Sequence, residues 1–298
     1  NKLETVEKDY ISQLLSEYIG TYPYLMQSGR VDEQVHYMEK AQNLIKKYNV
    51  EIIAIGNGTA SRESEKMIAD MIKKYNLSCK YVIVSEEGLW SLADHVNSGT
   101  KAINTFAGKT FKLGVDIDLK NQEWTPIGSG FTFDGTFDGD GHTIKNLNVN
   151  VSELAGLFGS VHGTIKNVKV KGAKISSHHY AGTIVGYIYG NVMNCEVSDA
   201  IITNTVEEVS TGVYDNGDKT GGIVGYVGEN GNYQIIDNKV NNVVITGYRD
   251  MGGIVGYLKK NILTDNEISD LTLVVDKTYN YKGASYVQTV GAYYGFAG

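Results

Sequence analysis

The strongest constraint on how this chain can fold is a glycine-framed unit that occurs four times. AGLFG (155–159) recurs as AGTIVGY (181–187) and as GGIVGY at 221–226 and again at 252–257. Each copy is followed by a second β-rich run: IKNVKV (165–170), MNCEVS (193–198), IDNKVN (236–241) and TDNEIS (264–269). Third apolar runs follow at 200–202, 243–245 and 271–275. Gly159, Gly186, Gly225 and Gly256 lie 27, 39 and 31 residues apart, and an acidic, turn-rich insertion at 207–220 accounts for the long interval. A unit of two or three short strands cannot bury its apolar side alone, so such units stack into a solenoid. Stacking places Val170, Val197, Val240 and Ile268 in one inward column. Strand alternation puts Val168, Cys195, Asn238 and Asn266 in another, with Asn238 over Asn266 as an interior amide ladder and Cys195 as an inert core thiol.

The repeat does not fill the chain. Only 5 of the 35 glycines fall within residues 1–88. That division gives a small α/β section, 1–88, and a mainly β section, 89–298. In the front, apolar spacing predicts helices over 5–18 and 31–48. VEIIAI (50–55), the loop GNGTASRE (56–63), a helix carrying Met67, Ile68, Met71 and Ile72, and YVIV (81–84) form a βαβ unit. The loop reads as a turn of small residues packing helix on strand, with an anion cradle as the alternative. Leu89, Leu92, Ala93 and Val96 predict an amphipathic helix that caps the open end of the stack.

Two resemblances attach to these segments. IKKYNVEIIAIGNGTASRESEKMIADMIKKY with KYVIVSEEG, within residues 18–88, resembles the RNase H-like domain of the bacterial transcription accessory protein Tex. FDGTFDGDGHTIKNL, AGLFG and GGIVGY, with VNSGTKAINTFAGKTFKLGVDIDLKNQEWTPIG, resemble the GLUG repeats of bacterial surface proteins over 85–298. The GLUG resemblance implies a right-handed parallel β-helix displayed outside the cell or secreted, often in adhesin-like proteins. Similar repeats stand beside the catalytic domain of IgA-specific zinc metallopeptidases.

For function, a net charge of −7 weighs against wholesale nucleic-acid or anionic-membrane binding. In residues 1–88 there are 11 Lys and Arg against 13 Asp and Glu, so a nucleic-acid role through the Tex-like section stays an alternative only. No run reaches the roughly 18 apolar residues a membrane span requires. Cys79 and Cys195 make no disulfide framework. None of the six histidines sits in a zinc motif, and His178-His179 reads as a solvated loop. Asp134, Asp138 and Asp140 have the outline of a Ca²⁺ loop without its terminal Glu, so Asp-Gly turns are the favoured reading. Asp116 and Asp118 share a strand face, which leaves a polysaccharide-cleaving pair as a third reading. The expectation is a non-enzymatic binding module needing no cofactor and no metal, whose partner is a host or cell-surface protein or glycan. Within the GGIVGY units, one alternation pattern sends Ile184, Gly186 and Ile188 inward. Val185, Val224 and Val255 then point outward with Tyr187, Tyr226 and Tyr257, a tyrosine ladder that forms the candidate ligand-binding face. The reversed pattern buries the tyrosines.

Overall fold

Short β-branched runs, separated by residues that accept a left-handed backbone, give mostly strands of two to four residues that turn corners, with nine-residue strands at Glu196–Asn204, Lys239–Gly247 and Glu267–Val275. The computed structural model describes residues 106–205, 218–229 and 231–275 continuously, and 207–210, 213–215 and 290–297 besides. In the front it describes 28–48, 50, 52–55, 80–83, 86–98 and single positions at 17, 21, 24, 25, 68, 71, 74 and 75. The chain divides into two compact units, Asn1–Gly88 and Leu89–Gly298.

The second unit is a parallel β-solenoid. In the coil at 153–177 the chain passes four faces: Glu153–Ala155, Phe158–Val161, Thr164–Lys166, and Lys169–Lys171 with Lys174–Ser177. Stacked coils make sheets of five, five, six and eight strands on the first to fourth faces. Val170 pairs with Val197, Val197 with Val240 and Val240 with Ile268, all in parallel register. The early coils are filled by rings, with Phe133 lying 5.4 Å and Phe137 5.1 Å from Phe158. Later coils use Val and Ile at the same positions, Val185 and Val224 in register with Phe158, and Ile188 and Val227 in register with Phe133, all buried.

Three features differ from the sequence reading. IKNVKV and its counterparts are not single strands. Each breaks at a corner where Asn167, Asn194, Asp237 or Asp265 takes a φ of 52–58°. That conformation costs an ordinary L-residue about 1–2 kcal/mol, and Asn and Asp visit it most readily. The corner residues also bond from coil to coil: Asn194 Nδ2 donates to Asn167 Oδ1 at 2.7 Å, and Asn167 Nδ2 to Asp138 Oδ1 at 2.8 Å. Second, a fifth glycine unit, VGAYYGF (290–296), adds a further coil to the stack. Val290 pairs with Met251, Tyr294 with Val255 and Phe296 with Tyr257. Third, the insertion contains an antiparallel hairpin, Glu207–Ser210 with Val213–Asp215, before the chain rejoins the first face at Asp218–Gly221.

The interior amide ladder is present. Asn238, fully buried, accepts the Cys195 N–H at 3.0 Å and donates to the Val192 carbonyl at 3.1 Å. Asn266 Oδ1 accepts both the N–H (2.9 Å) and the side chain (3.0 Å) of Asn238. Each coil therefore satisfies the amides of the next in a space too dry for water to do so. Burial pushes the neighbouring Cys195 thiol up to about 12.

The helix Glu86–Ser98 buries Leu89, Leu92, Ala93 and Val96. Within the second unit Trp90 lies 4.6 Å from Trp124, whose indole N–H reaches the Leu157 carbonyl at 3.0 Å. Asn97 Oδ1 takes the N–H groups of Gly128 and Ser129, each at 2.9 Å, which fastens the helix end to the first coils.

In the front unit, the helix Val31–Lys47 carries Asp32 and Glu33 in its first turn and Lys46 and Lys47 in its last, as the helix dipole favours. Ile52–Ile55 and Lys80–Ile83 pair in parallel, as a βαβ unit requires. Of the expected helix at 5–18 only Glu17 is described, and it is helical; the loop at 56–63 and Cys79 lie outside the described residues. Among the described residues no helix is long and apolar enough to cross a membrane.

Candidate functional site

The second face decides between the two alternation patterns, and neither holds entire. Thr183 and Ile184 form the corner, so alternation restarts at Val185. Val185 and Ile188 both fill the interior, as do Val224 with Val227 and Val255 with Leu258. The valine ladder expected on the outside is therefore buried. Gly186, Gly225 and Gly256 face the neighbouring first-face strand. A Cβ on Gly225 would stand 2.8 Å from the Ala181 nitrogen, so only glycine allows the two faces to close together. Tyr187, Tyr226 and Tyr257 are left half-buried on the outer side.

Parallel register puts one tyrosine above the next at the strand spacing of about 4.8 Å. The ring centroids of Tyr187 and Tyr226 are 4.8 Å apart with planes 4° from parallel, and those of Tyr226 and Tyr257 are 4.9 Å apart at 11°. Phe296 continues the column by register, while Ser160 precedes it. Because stacked rings cover each other's faces, the ladder offers edges and hydroxyls.

Other residues complete a larger aromatic surface. Tyr180, held at a φ of 51°, sits edge-on to Tyr187 (5.5 Å) and Tyr226 (5.6 Å), with Lys219 Nζ 5.2 Å over its ring. Tyr189 lies 5.1 Å from Tyr187, and the two hydroxyls are 2.6 Å apart. Tyr233 lies 6.2 Å and His162 5.1 Å from Tyr189. Tyr257 donates to Glu229 Oε1 at 3.3 Å, and Lys259 pairs with Glu229 Oε2 at 3.0 Å. Burial first, then the bond to Tyr189, raises the Tyr187 phenol. Burial and the Glu229 carboxylate raise Tyr226 and Tyr257. All three remain protonated donors at neutral pH. The sequence signal for these added residues is slight, since Tyr180, Tyr189 and Tyr233 stand outside the repeated positions.

The remaining candidates serve the coil. Asp118 accepts Asn146 Nδ2 (2.7 Å) and the Lys120 N–H (2.9 Å), and Asp116 accepts the Thr143 N–H at 3.0 Å. These bonds, led by Asn146 for Asp118 and Thr143 for Asp116, hold both carboxyls below their usual range, opposite to what a general acid needs. Asp138 takes Asn167 Nδ2 and the Asp140 N–H, while Asp140 pairs with Lys112 at 2.9 Å, so these acids close turns. His178 Nδ1 is 3.1 Å from the Thr205 carbonyl and His179 packs on Tyr180 at 3.7 Å, so the two imidazoles meet different neighbours. Among the described residues no cluster of three metal-ligating side chains occurs.

The fold and this face define a parallel β-solenoid with an aromatic outer ladder, preceded by a separate α/β section. Residues 13–98 match the family described as the Tex protein YqgF-like domain. The chain is 54% identical over 46 residues to Protein tex of Bordetella pertussis, 15% of this chain and 6% of that protein. It is 46% identical over 50 residues to YdcI of Bacillus subtilis, 17% of this chain and 7% of that one. Halomucin of Haloquadratum walsbyi is 34% identical over 135 residues, 41% of this chain and 1% of halomucin. The chain thus spans only a small part of each of these relatives. A solved structure, a candidate immunoglobulin A1 protease from Bacteroides ovatus, aligns at 17% identity and a TM-score of 0.36, covering 74% of this chain and 84% of that one. A likeness that slight transfers nothing.

Proposed function

We propose that the solenoid is a non-enzymatic, GLUG-type binding module, displayed on the cell surface or secreted, that engages a host protein or glycan in the manner of an adhesin. The stacked ladder of Tyr187, Tyr226 and Tyr257 carries this reading. Three aligned rings, half-buried yet bearing hydroxyl donors, supply apolar area and hydrogen bonds at little entropic cost. They contribute less to the core than Val185, Val224 and Val255, which fill it from the same strands. The test is flow cytometry of fluorescently labelled chain on host epithelial cells, comparing the wild type with a Tyr187→Ser, Tyr226→Ser, Tyr257→Ser variant. Binding is expected to fall at least tenfold while the variant stays folded. Undiminished binding overturns the reading.

The match of residues 13–98 to the Tex protein YqgF-like domain supports a second reading, nucleic-acid contact through the front section. The acidic balance of that section argues against it. Submicromolar, steeply salt-dependent binding of single-stranded RNA or DNA at physiological salt would establish it.

A further inference from the structure

We infer that two copies of this chain join end to end through the coil that begins at Ile262, strand edge to strand edge across a two-fold axis at Leu273. The two ends of the stack differ. At the first coil the helix Glu86–Ser98 covers the end, with Trp90 4.6 Å from Trp124 and the Asn97 side chain holding the Gly128 and Ser129 N–H groups. At the other end Ile262–Thr264, Glu267–Val275, Val290–Gly291 and Tyr294–Ala297 are each the outermost strand of their sheet, paired on one side only among the described residues. Interior positions there are incompletely covered. Val240, Val243 and Ile245 are buried, whereas Ile268, Leu271 and Leu273, in register with them one coil on, are half-buried. Met251 and Val255 are buried, while their partners Val290 and Tyr294 are 41% and 45% exposed.

The shape of this end selects its occupant. A single extended peptide would pair with one of the four edges and leave the apolar interior open, whereas another coil of the same outline meets all four edges at once. A head-to-tail arrangement would need an open first coil, which the helix closes, so the second copy meets this one through the same end, an isologous contact. Leu271–Val275 (LTLVV) suits that symmetry. It carries no charge and no proline, two of the devices that blunt an unpaired edge. Antiparallel pairing centred on Leu273 sets Leu271 against Val275 and Thr272 against Val274 of the second copy. Leu271, Leu273 and Val275 stand over Val243, Ile245 and Gly247, all buried, so inward residues meet inward residues and the two interiors become continuous. The same axis brings second face to second face, so the columns that reach Phe296 run on into each other.

Size-exclusion chromatography with light scattering on the full chain, over a hundredfold range of concentration, tests this. The mass is expected to rise from one chain to two and to stop there. Leu273→Lys, which sets two ammonium groups against each other at the axis, should raise the concentration needed for the dimer at least tenfold. Ile201→Lys, on the outward side of the same face and 52% exposed, should leave it within twofold. A cysteine at 273 adds a positional readout, because antiparallel neighbours have Cα atoms about 4.5–5.5 Å apart, within the span a disulfide bridges. In a Cys79→Ser chain, Leu273→Cys treated with oxidised glutathione should link two chains, and Ile201→Cys at least tenfold less. A monomer at every concentration, or a mass that grows past two chains, overturns the proposal. So does a dimer that a folded Leu273→Lys leaves intact or that Leu273→Cys does not link. If Leu273→Lys does not fold, the cysteine variant decides alone.

Discussion

Replacing Asn238 with alanine probes what the interior amide ladder contributes. The change removes the acceptor of the Cys195 N–H and the donor to the Val192 carbonyl, both in a fully buried setting. Asn266 Oδ1 loses one donor and keeps the other, the N–H of residue 238 itself. One stranded donor and one partly stranded carbonyl, at about 1–3 kcal/mol per unsatisfied group, give a loss of about 3 kcal/mol. For a domain the size of the second unit that is a fall of about 6–12 °C in melting temperature. Calorimetry near neutral pH reads it directly. Asn238→Asp adds a sign. Burial raises the folded pKa of the new carboxyl above its unfolded value near 3.9, so the native state holds the proton more tightly and stability falls as pH rises. This variant should therefore lie closer to wild type at about pH 4 than near neutrality. A fall below about 2 °C for the alanine variant, or an aspartate variant indifferent to pH, would refute the reasoning.

Other expectations follow from the same coil geometry. A Cβ on Gly190 would lie 1.9 Å from the Gly163 carbonyl of the coil before, so Gly190→Ala should cost about 3 kcal/mol in a denaturant titration. In a Cys79→Ser chain, Cys195 should resist thiol reagents until the protein is unfolded, since its thiol is pushed up to about 12 by burial. Burial raises the Asp138 carboxyl, but Asn167, the Asp140 N–H and Lys166 together outweigh it and hold the group low. Its stabilisation is thus present above about pH 4 and lost as pH falls through the folded value, so Asp138→Asn should flatten the acid limb of the stability profile.

The repeat alone disclosed the inward column from Val170 to Ile268 and the Asn238–Asn266 pair, because equivalent residues in stacked coils must superpose. The corners were hidden for a specific reason. Asn167 and Asn194 sit inside runs that read as strands, and only their backbone shows the left-handed turn that breaks them. The same blindness left neither alternation pattern whole, since both were counted through a corner at 183–184 that restarts the alternation at Val185. The fifth unit escaped notice because Ala292, Tyr293 and Tyr294 replace the Gly-Ile-Val of the earlier copies. Of the aromatic surface, the three repeated tyrosines were legible. Tyr180, Tyr189 and Tyr233 were not, because their neighbours come from other faces or from a loop.

The account centres on the ladder as the surface a partner covers, and hydroxyl-radical footprinting locates that surface without any substitution. The labelling of each tyrosine is compared in the free chain and in the chain bound to isolated host-cell surface glycoprotein. Tyr187, Tyr226 and Tyr257 should be protected together, while Tyr24 and Tyr294, 66% and 45% exposed and off the ladder, label as before. Protection elsewhere, with the three ladder tyrosines labelled as in the free chain, would contradict the account.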